Sequence, residues 1–230
     1  MAGFFVIFFI FSFLPKNLLA ETIGVIIPGE VHYYRETYNA FLSRLKREGY
    51  IERLEIVFQK PYPDYISLSN AARKLNALDV DLILTFGSSS TLAVIDTKTK
   101  APIIYSCLTE SFAQRLKGRN ITGINYKIFP SSLVRYIREI ANIKKLGIIF
   151  SPNDPESVLQ MEDVRKAAEQ YGIRAEPISL SDNRDVKKTL SGRNIDAIFI
   201  TQSALVEMVL TQIIEFSRSK RMPTASLLPG

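Results

Sequence analysis

Cysteine and histidine are nearly absent: the 230 residues hold one of each, Cys107 and His32. A lone cysteine cannot close an internal disulfide, so stability in an oxidising compartment has to come from core burial. Cys107 reads as a small apolar residue after a strand rather than as a reactive thiol. His32 belongs to no Cys/His/carboxylate group with metal-ligand spacing, so it reads as a surface residue, and neither a metal nor a cofactor is expected. Also missing are a Gly-x-Ser-x-Gly elbow, a phosphate loop ending in Gly-Lys-Ser/Thr and a Gly-x-Gly-x-x-Gly turn after the first strand. A serine hydrolase would need His32 to reach a serine, and no motif supports that. The formal charge is +6, with the basic residues Lys144-Lys145, Lys187-Lys188 and Arg218 to Arg221 scattered. This pattern describes a solvated surface rather than a nucleic-acid footprint. No DNA-binding helix pair precedes the first strand, and the chain contains no sequence repeat and no low-complexity segment.

What is present begins with an apolar run, Phe4 to Leu14, of 11 residues. That is too short to span a bilayer as a helix, yet it suits the apolar region of a secretory leader. Pro15, Lys16 and Asn17 follow, then Leu18-Leu19-Ala20, with small Ala20 as the last residue before cleavage. Residues 1–20 are therefore expected to be a signal peptide and Glu21 the mature start, which lowers the charge from +6 to +5 as Lys16 leaves. No Lys or Arg precedes the run and Leu18 is a mediocre residue two places before Ala20, so an uncleaved membrane anchor is the alternative. No cysteine follows the run, which excludes lipid attachment at a new amino-terminal Cys. With 47% hydrophobic and 23% charged residues, the remainder is a folded body, neither a disordered chain nor a multispan membrane protein.

Short apolar strands alternate with longer amphipathic helices, the rhythm of a parallel α/β fold. Strands are expected at Ile23 to Ile27, Leu54 to Phe58, Val80 to Phe86, Pro102 to Ser106 and Ile121 to Ile124. Between them, Tyr38, Phe41, Leu42 and Leu45 recur at helical spacing up to Gly49, and Leu68, Ala71, Ala72 and Leu75 do so after the Pro61 to Asp64 turn. A further helix, Leu92 to Lys98, follows the turn that starts at Gly87. Past Pro130 the rhythm restarts: helix Ser131 to Ile140, strand Leu146 to Phe150, helix Pro155 to Tyr171, strand Arg174 to Ile178 and helix Val186 to Leu190. Strand Asp196 to Thr201, helix Leu205 to Ser217 and a last strand from Thr224 to Leu228 complete it. The expected fold class is α/β, two Rossmann-like lobes with parallel sheets, over residues 21–125 and 126–230.

Several segments in this order carry a family resemblance: Asp81-Leu82-Ile83-Leu84-Thr85-Phe86-Gly87, Ala101-Pro102-Ile103-Ile104-Tyr105 leading to Thr109-Glu110, and Asn120-Ile121-Thr122-Gly123. Leu146 to Asn153, Tyr171-Gly172-Ile173, Asp196 to Ile200 and Met222-Pro223 extend it. The chain resembles the solute-binding proteins of ABC importers, in the group that includes tryptophan- and tyrosine-binding members, with the type I periplasmic-binding fold. The resemblance implies a periplasmic monomer that captures a small polar ligand, an amino acid or similar, in an interlobe cleft. It implies an ABC transporter membrane permease as partner, no nucleic acid and no catalysis. Members of that family normally continue past the last strand here, so the resemblance also implies a second lobe lacking its C-terminal return segment. Two other readings stand beside it: an extracytoplasmic sensor of the same fold that serves a signalling partner, and a small hydrolase. Asn120-Ile121-Thr122 is formally a glycosylation acceptor, but in a bacterial product a turn-forming role is expected.

Loops at the carboxyl ends of parallel strands, with helix N-termini behind them, are where such a fold binds solutes. Gly87 with Ser88, Ser89, Ser90 and Thr91 supplies a tight turn, hydroxyls and N–H groups for a ligand carboxylate, or else a serine helix cap. Thr109 and Glu110 follow the fourth strand, where Glu110 matches the family's acidic position and faces either a ligand ammonium or solvent. Asn153-Asp154-Pro155 offers a contact from the second lobe or simple capping, with Pro155 at the first helical position. Thr201-Gln202-Ser203 lies at the corresponding end of another strand, Ser203 standing where the family commonly has aspartate. Tyr33 and Tyr34, after Pro28-Gly29-Glu30, form an aromatic wall of the site or cover the interior at a helix start.

Overall fold

The computed structural model describes residues 21–184 and 186–227. The expected leader at residues 1–20 and the end of the last strand at Leu228 lie outside the described residues.

The first lobe is built from β1 (Glu21–Ile26), α1 (His32–Arg47), β2 (Leu54–Gln59), α2 (Tyr65–Ala77), β3 (Leu82–Phe86), α3 (Ser88–Asp96), β4 (Ile103–Thr109), α4 (Glu110–Ala113) and β5 (Ile121–Tyr126). All neighbouring strands are parallel, in the order β2-β1-β3-β4-β5. Strands that helices cover on both faces read as continuous apolar runs, which is why β1 and β3 end in four consecutive buried residues each. Ile26, Leu75, Ile83, Val94 and Ile103 pack on one side of this sheet, and Val25, Tyr34, Leu84 and Phe86 on the other.

The second lobe repeats the plan with α5 (Pro130–Ile140), β6 (Lys145–Phe150), α6 (Pro155–Gln170), β7 (Arg174–Ser179), α7 (Val186–Leu190), β8 (Ala197–Ile200), α8 (Ala204–Met208), α9 (Leu210–Ser219) and β9 (Thr224–Ser226). Its sheet is again parallel, in the order β7-β6-β8-β9. The same device anchors the first strand of each lobe. Asp81, just before β3, accepts from Thr22 N at 2.8 Å, and Asp196, just before β8, accepts from Lys144 N and Lys145 N at 2.8 Å each. Asn120 donates its side-chain amide to the carbonyls of Thr99 and Ala101, the turn-forming role expected of it.

Helix α3 begins at Ser88 rather than Leu92, so the serines of the expected turn form its first turn, and β4 runs on to Thr109 rather than ending at Ser106. Two further elements differ from the sequence expectation. The single helix foreseen over Leu205 to Ser217 is two helices, α8 and α9, broken at Val209, where φ is −113° and ψ 8°. The apolar stripe Leu205, Val206, Val209 and Ile213 is buried on both sides of the break, so the periodicity runs through it unchanged. The polar stretch after β4 contains the short α4, four residues without a readable period.

The chain passes between the lobes at Lys127 to Phe129, from β5 to α5, and residues at the carboxyl ends of the two sheets hydrogen-bond across the cleft between them. Ala204 of α8 seats in the first-lobe cluster of Val25, Tyr34 and Phe86, closing one side of it.

Candidate functional site

Gly87 begins the site. Its φ of +79° lies in the region that only glycine adopts without strain, and a Cβ there would stand 2.2 Å from Tyr34 Oη. The turn after β3 therefore lets the Tyr34 ring pass directly against the backbone. Gly87 is also the N-cap of α3 and provides no side-chain bond, so the following hydroxyls are not spent on capping. Ser88 and Ser89 instead reach the other lobe: their hydroxyls donate to the two oxygens of Asp154, at 2.7 and 3.0 Å. Ser90 and Thr91 turn back, donating to the carbonyls of Phe86 and Gly87.

Asp154 is the N-cap of α6. One of its oxygens also accepts from Glu156 N and Ser157 N at 3.0 Å each, and Pro155 occupies the first helical position. Capping and the interlobe contact are thus one arrangement: a carboxylate held between a helix N-terminus and two serines. Asn153 beside it is exposed.

Thr109 closes a second bridge. Its N–H and hydroxyl both meet Glu156 Oε1, at 2.6 and 2.5 Å. Glu156 is 2% exposed. Burial pushes its carboxyl up to about 8, against the Thr109 hydroxyl and N–H, which lower it, and with neighbouring Asp154 raising it further. Burial also raises Asp154, against the hydrogen bonds from Ser157, Ser88, Ser89 and Glu156, and it raises Glu207, against the N–H groups of His32 and Tyr33. Glu110 remains at the surface, paired with Lys127 at 3.2 Å.

From the end of β8, Gln202 donates to Tyr33 Oη and, at 3.3 Å, to the Cys107 carbonyl. The second contact depends on an irregularity: the β4–β5 register shifts between Tyr105 and Leu108, and Cys107 takes a φ of +62°. Left-handed backbone at a non-glycine residue costs on the order of 1 kcal/mol, and here it aims the Cys107 carbonyl across the cleft. Thr201 and Ser157 share a 2.7 Å hydrogen bond within the second lobe, and Ser203 caps α8 through Val206 N at 3.1 Å. His32, exposed as expected, gives only its backbone N–H to the cleft, at 3.2 Å from Glu207 Oε1.

The structure therefore brings Tyr33, Ser88, Ser89, Thr109, Asp154 and Gln202 to one interface. It directs Ser90 and Ser203 into their own lobes and leaves Asn153 and Glu110 at the rim. Sequence reasoning did not single out Glu156, Gln160, Glu207 or Tyr126. Glu156 and Gln160, one turn apart on α6, carried a faint signal as buried polar residues beside the apolar positions Met161, Val164 and Ala168.

Four buried side-chain atoms here lack a hydrogen-bond partner: Tyr126 Oη, Gln160 Nε2, Gln202 Oε1 and Glu207 Oε2. Buried polar atoms are ordinarily hydrogen-bonded, so these four are open to a further partner. Beside Asp154, Tyr34 and Ser89 only about 10 Å³ remains open. Toward the crossover, a cavity of about 310 Å³ is lined by Thr109, Glu110, Lys127, Gln160 and Asp163, at the small end of the range for ligand pockets. Among the described residues, no group of His, Cys, Asp and Glu is placed to hold a metal ion, and no helix is long and apolar enough to cross a membrane.

Residues 22–227 match the family described as ABC transporter substrate binding protein. Among solved structures, an ABC domain from Streptococcus pneumoniae in complex with L-Trp superimposes with a TM-score of 0.80 at 20% identity, over 89% of this chain and 73% of that one. A conserved domain protein from Vibrio cholerae gives 0.82 at 20% identity, over 91% and 74%. A branched-chain amino acid transporter substrate binding protein from Streptococcus pneumoniae, in complex with isoleucine, gives 0.64 at 14% identity, over 89% and 63%. The search of curated proteins gave no match.

Proposed function

The chain belongs to the ABC transporter substrate-binding protein family, and from that membership we propose that it is the periplasmic, solute-capturing component of an importer, exported by the leader at residues 1–20. It takes an amino acid, or a polar solute of similar size, into the cleft between its lobes and presents the closed form to a membrane permease. One observation carries this reading: polar side chains from both lobes meet in a buried interface that leaves four polar atoms without partners. A bound solute that met them would recover part of the roughly 1–3 kcal/mol that each unmet buried group costs.

The residues that line the cleft on this reading are Gly87, Ser88, Ser89, Thr109 and Tyr33 from the first lobe and Asp154, Glu156, Gln160 and Gln202 from the second. All but Gln160, in the second turn of α6, lie at a strand's carboxyl end or in the loop or first helical turn beyond it, so rotation at Lys127 to Phe129 would separate the two sets without disturbing either sheet. The protein binds and releases, and no catalytic step is assigned to it. Binding favours the state with the lobes together, by as much as the ligand prefers that state to the open one.

The test is a panel of amino acids, amines, sugars and carboxylic acids offered to the purified protein, read by thermal unfolding and small-angle scattering. At least one member should raise the melting temperature and narrow the spread of molecular dimensions. A panel that changes neither removes the solute-receptor reading.

A further inference from the structure

The position in the cleft best suited to a carboxylate is already filled by the protein itself. The hydroxyls of Ser88 and Ser89 and the N–H groups of Glu156 and Ser157 form an anion cradle, and all four donate to Asp154. With about 10 Å³ left beside it, a second carboxylate fits there only by displacing Asp154. Glu156 and Glu207 both act on the side chains of Cys107 and Tyr126, and none of the ion pairs among the described residues involves Asp154, Glu156 or Glu207. The cavity's one lysine, Lys127, is engaged by Glu110.

The unpartnered atoms set the polarity that a solute would have to match. Gln202, 2% exposed, has Oε1 free, and Glu207 Oε2 is buried and free; both accept hydrogen bonds and call for a donor. Gln160, 3% exposed, lines the 310 Å³ cavity with Nε2 free and calls for an acceptor.

We propose that the cleft takes a small organic cation, an amine or quaternary ammonium that has a hydroxyl or carbonyl group and no carboxylate, entering from the cavity that Thr109 and Gln160 line, with its oxygen toward Gln160 and its charge toward Glu156, which Thr109 bonds, and Gln202, which Gln160 bonds. Asp154 supplies from within the protein the carboxylate that an amino acid would bring. This deepens the solute-receptor reading of the same cleft and rests on it.

Binding should carry a proton signature. Besides Thr109, the groups that interact with Glu156 are Asp154 on its own helix and Tyr34, Cys107 and Tyr126 from the first lobe. None is cationic at neutral pH. With its carboxyl pushed up to about 8, Glu156 is mostly protonated at pH 7, so a cation beside it would drive off a proton.

Titration calorimetry on the purified protein with three matched pairs tests this: ethanolamine against serine, tyramine against tyrosine, and choline against betaine. We expect at least one pair in which the carboxylate-free member binds ten-fold or more tightly than its partner, with an enthalpy that varies with the buffer's ionisation enthalpy at pH 7. A carboxylate-bearing member that binds as well as or better than its partner overturns the inference, and so does an enthalpy independent of buffer. If no pair member binds while another solute of the wider panel does, the inference falls and the receptor reading stands. If nothing binds, both fall. Asp154→Ala frees the cradle and should cut the preference at least five-fold; should that variant not fold, Asp154→Asn, which keeps a capping oxygen but loses the charge, should reduce it in the same direction. An unchanged preference in the folded variant shows that Asp154 does not exclude the carboxylate.

Discussion

Glu156 makes the stability of this protein depend on pH in a direction opposite to that of most surface carboxylates. Burial raises its carboxyl from 4.5 to about 8, and the hydrogen bonds from Thr109 oppose that rise. Between those values the folded state holds a proton that the unfolded state has lost. The contribution is therefore fully present below about pH 4.5, declines as pH rises and is exhausted near pH 8. At roughly 1.4 kcal/mol per pH unit, the gap amounts to ~5 kcal/mol. Asp154 and Glu207, also raised by burial, act in the same sense. The chain has a cheaper escape than unfolding, since separation of the lobes rehydrates Glu156. Opening gives up the interlobe hydrogen bonds of Ser88, Ser89, Thr109, Gln202 and His32. At about 1 kcal/mol net apiece these limit how much of the penalty the closed form tolerates before it opens.

Glu156→Gln keeps an acceptor for Thr109 and removes the titration. Thermal unfolding of both proteins from pH 5 to pH 9 should show the wild type losing stability across the range while the variant stays flatter. At pH 9 the variant should be the more stable by several degrees, on a scale of about 2–4 °C per kcal/mol for a chain of this size. Scattering at pH 9 should show a more open wild type than variant. Parallel stability profiles with the same offset at pH 5 and pH 9 would refute the reasoning.

Gly87→Ala should cost several kcal/mol, because it combines a left-handed backbone with a 2.2 Å approach to Tyr34 Oη. Adding Tyr34→Phe should recover part of the loss in a denaturant titration but not the backbone share; no recovery would show that the hydroxyl is not the obstacle. Cys107, whose thiol burial raises, should react with iodoacetamide at pH 8 at least ten-fold more slowly than after unfolding in urea, and equal rates would contradict its burial. Asp196→Ala removes the acceptor for two strand-starting N–H groups and should destabilise the second lobe by about 1–3 kcal/mol, measured by urea unfolding. Asp81→Ala, with one such bond at the matching place in the first lobe, should cost less.

Most of the fold was legible because parallel strands buried on both faces leave short apolar runs, and the helices between them keep a one-sided period. The break at Val209 was not, since Leu205, Val206, Val209 and Ile213 keep helical spacing through it. The site was legible where it coincides with turn chemistry: Gly87, Asp154 before Pro155, and Gln202 beyond β8 all follow strands. Glu156 was hidden for a physical reason. A glutamate in the first turn of a helix is what the dipole favours on any exposed surface, whereas this one is buried and bonded by Thr109 of the other lobe, 47 residues away. Gln160, Glu207 and Tyr126 likewise owe their burial to contacts between segments far apart in the chain.

The central claim is that a solute is held between the lobes by the polar groups that meet there. The most direct check is the affinity of whichever panel member binds best, measured for the wild type, for Gln202→Ala and for Lys220→Ala, an exposed control at the end of α9. A loss of ten-fold or more is expected for Gln202→Ala and none for Lys220→Ala. Full affinity in the Gln202 variant would place the solute elsewhere and contradict the assignment of the cleft.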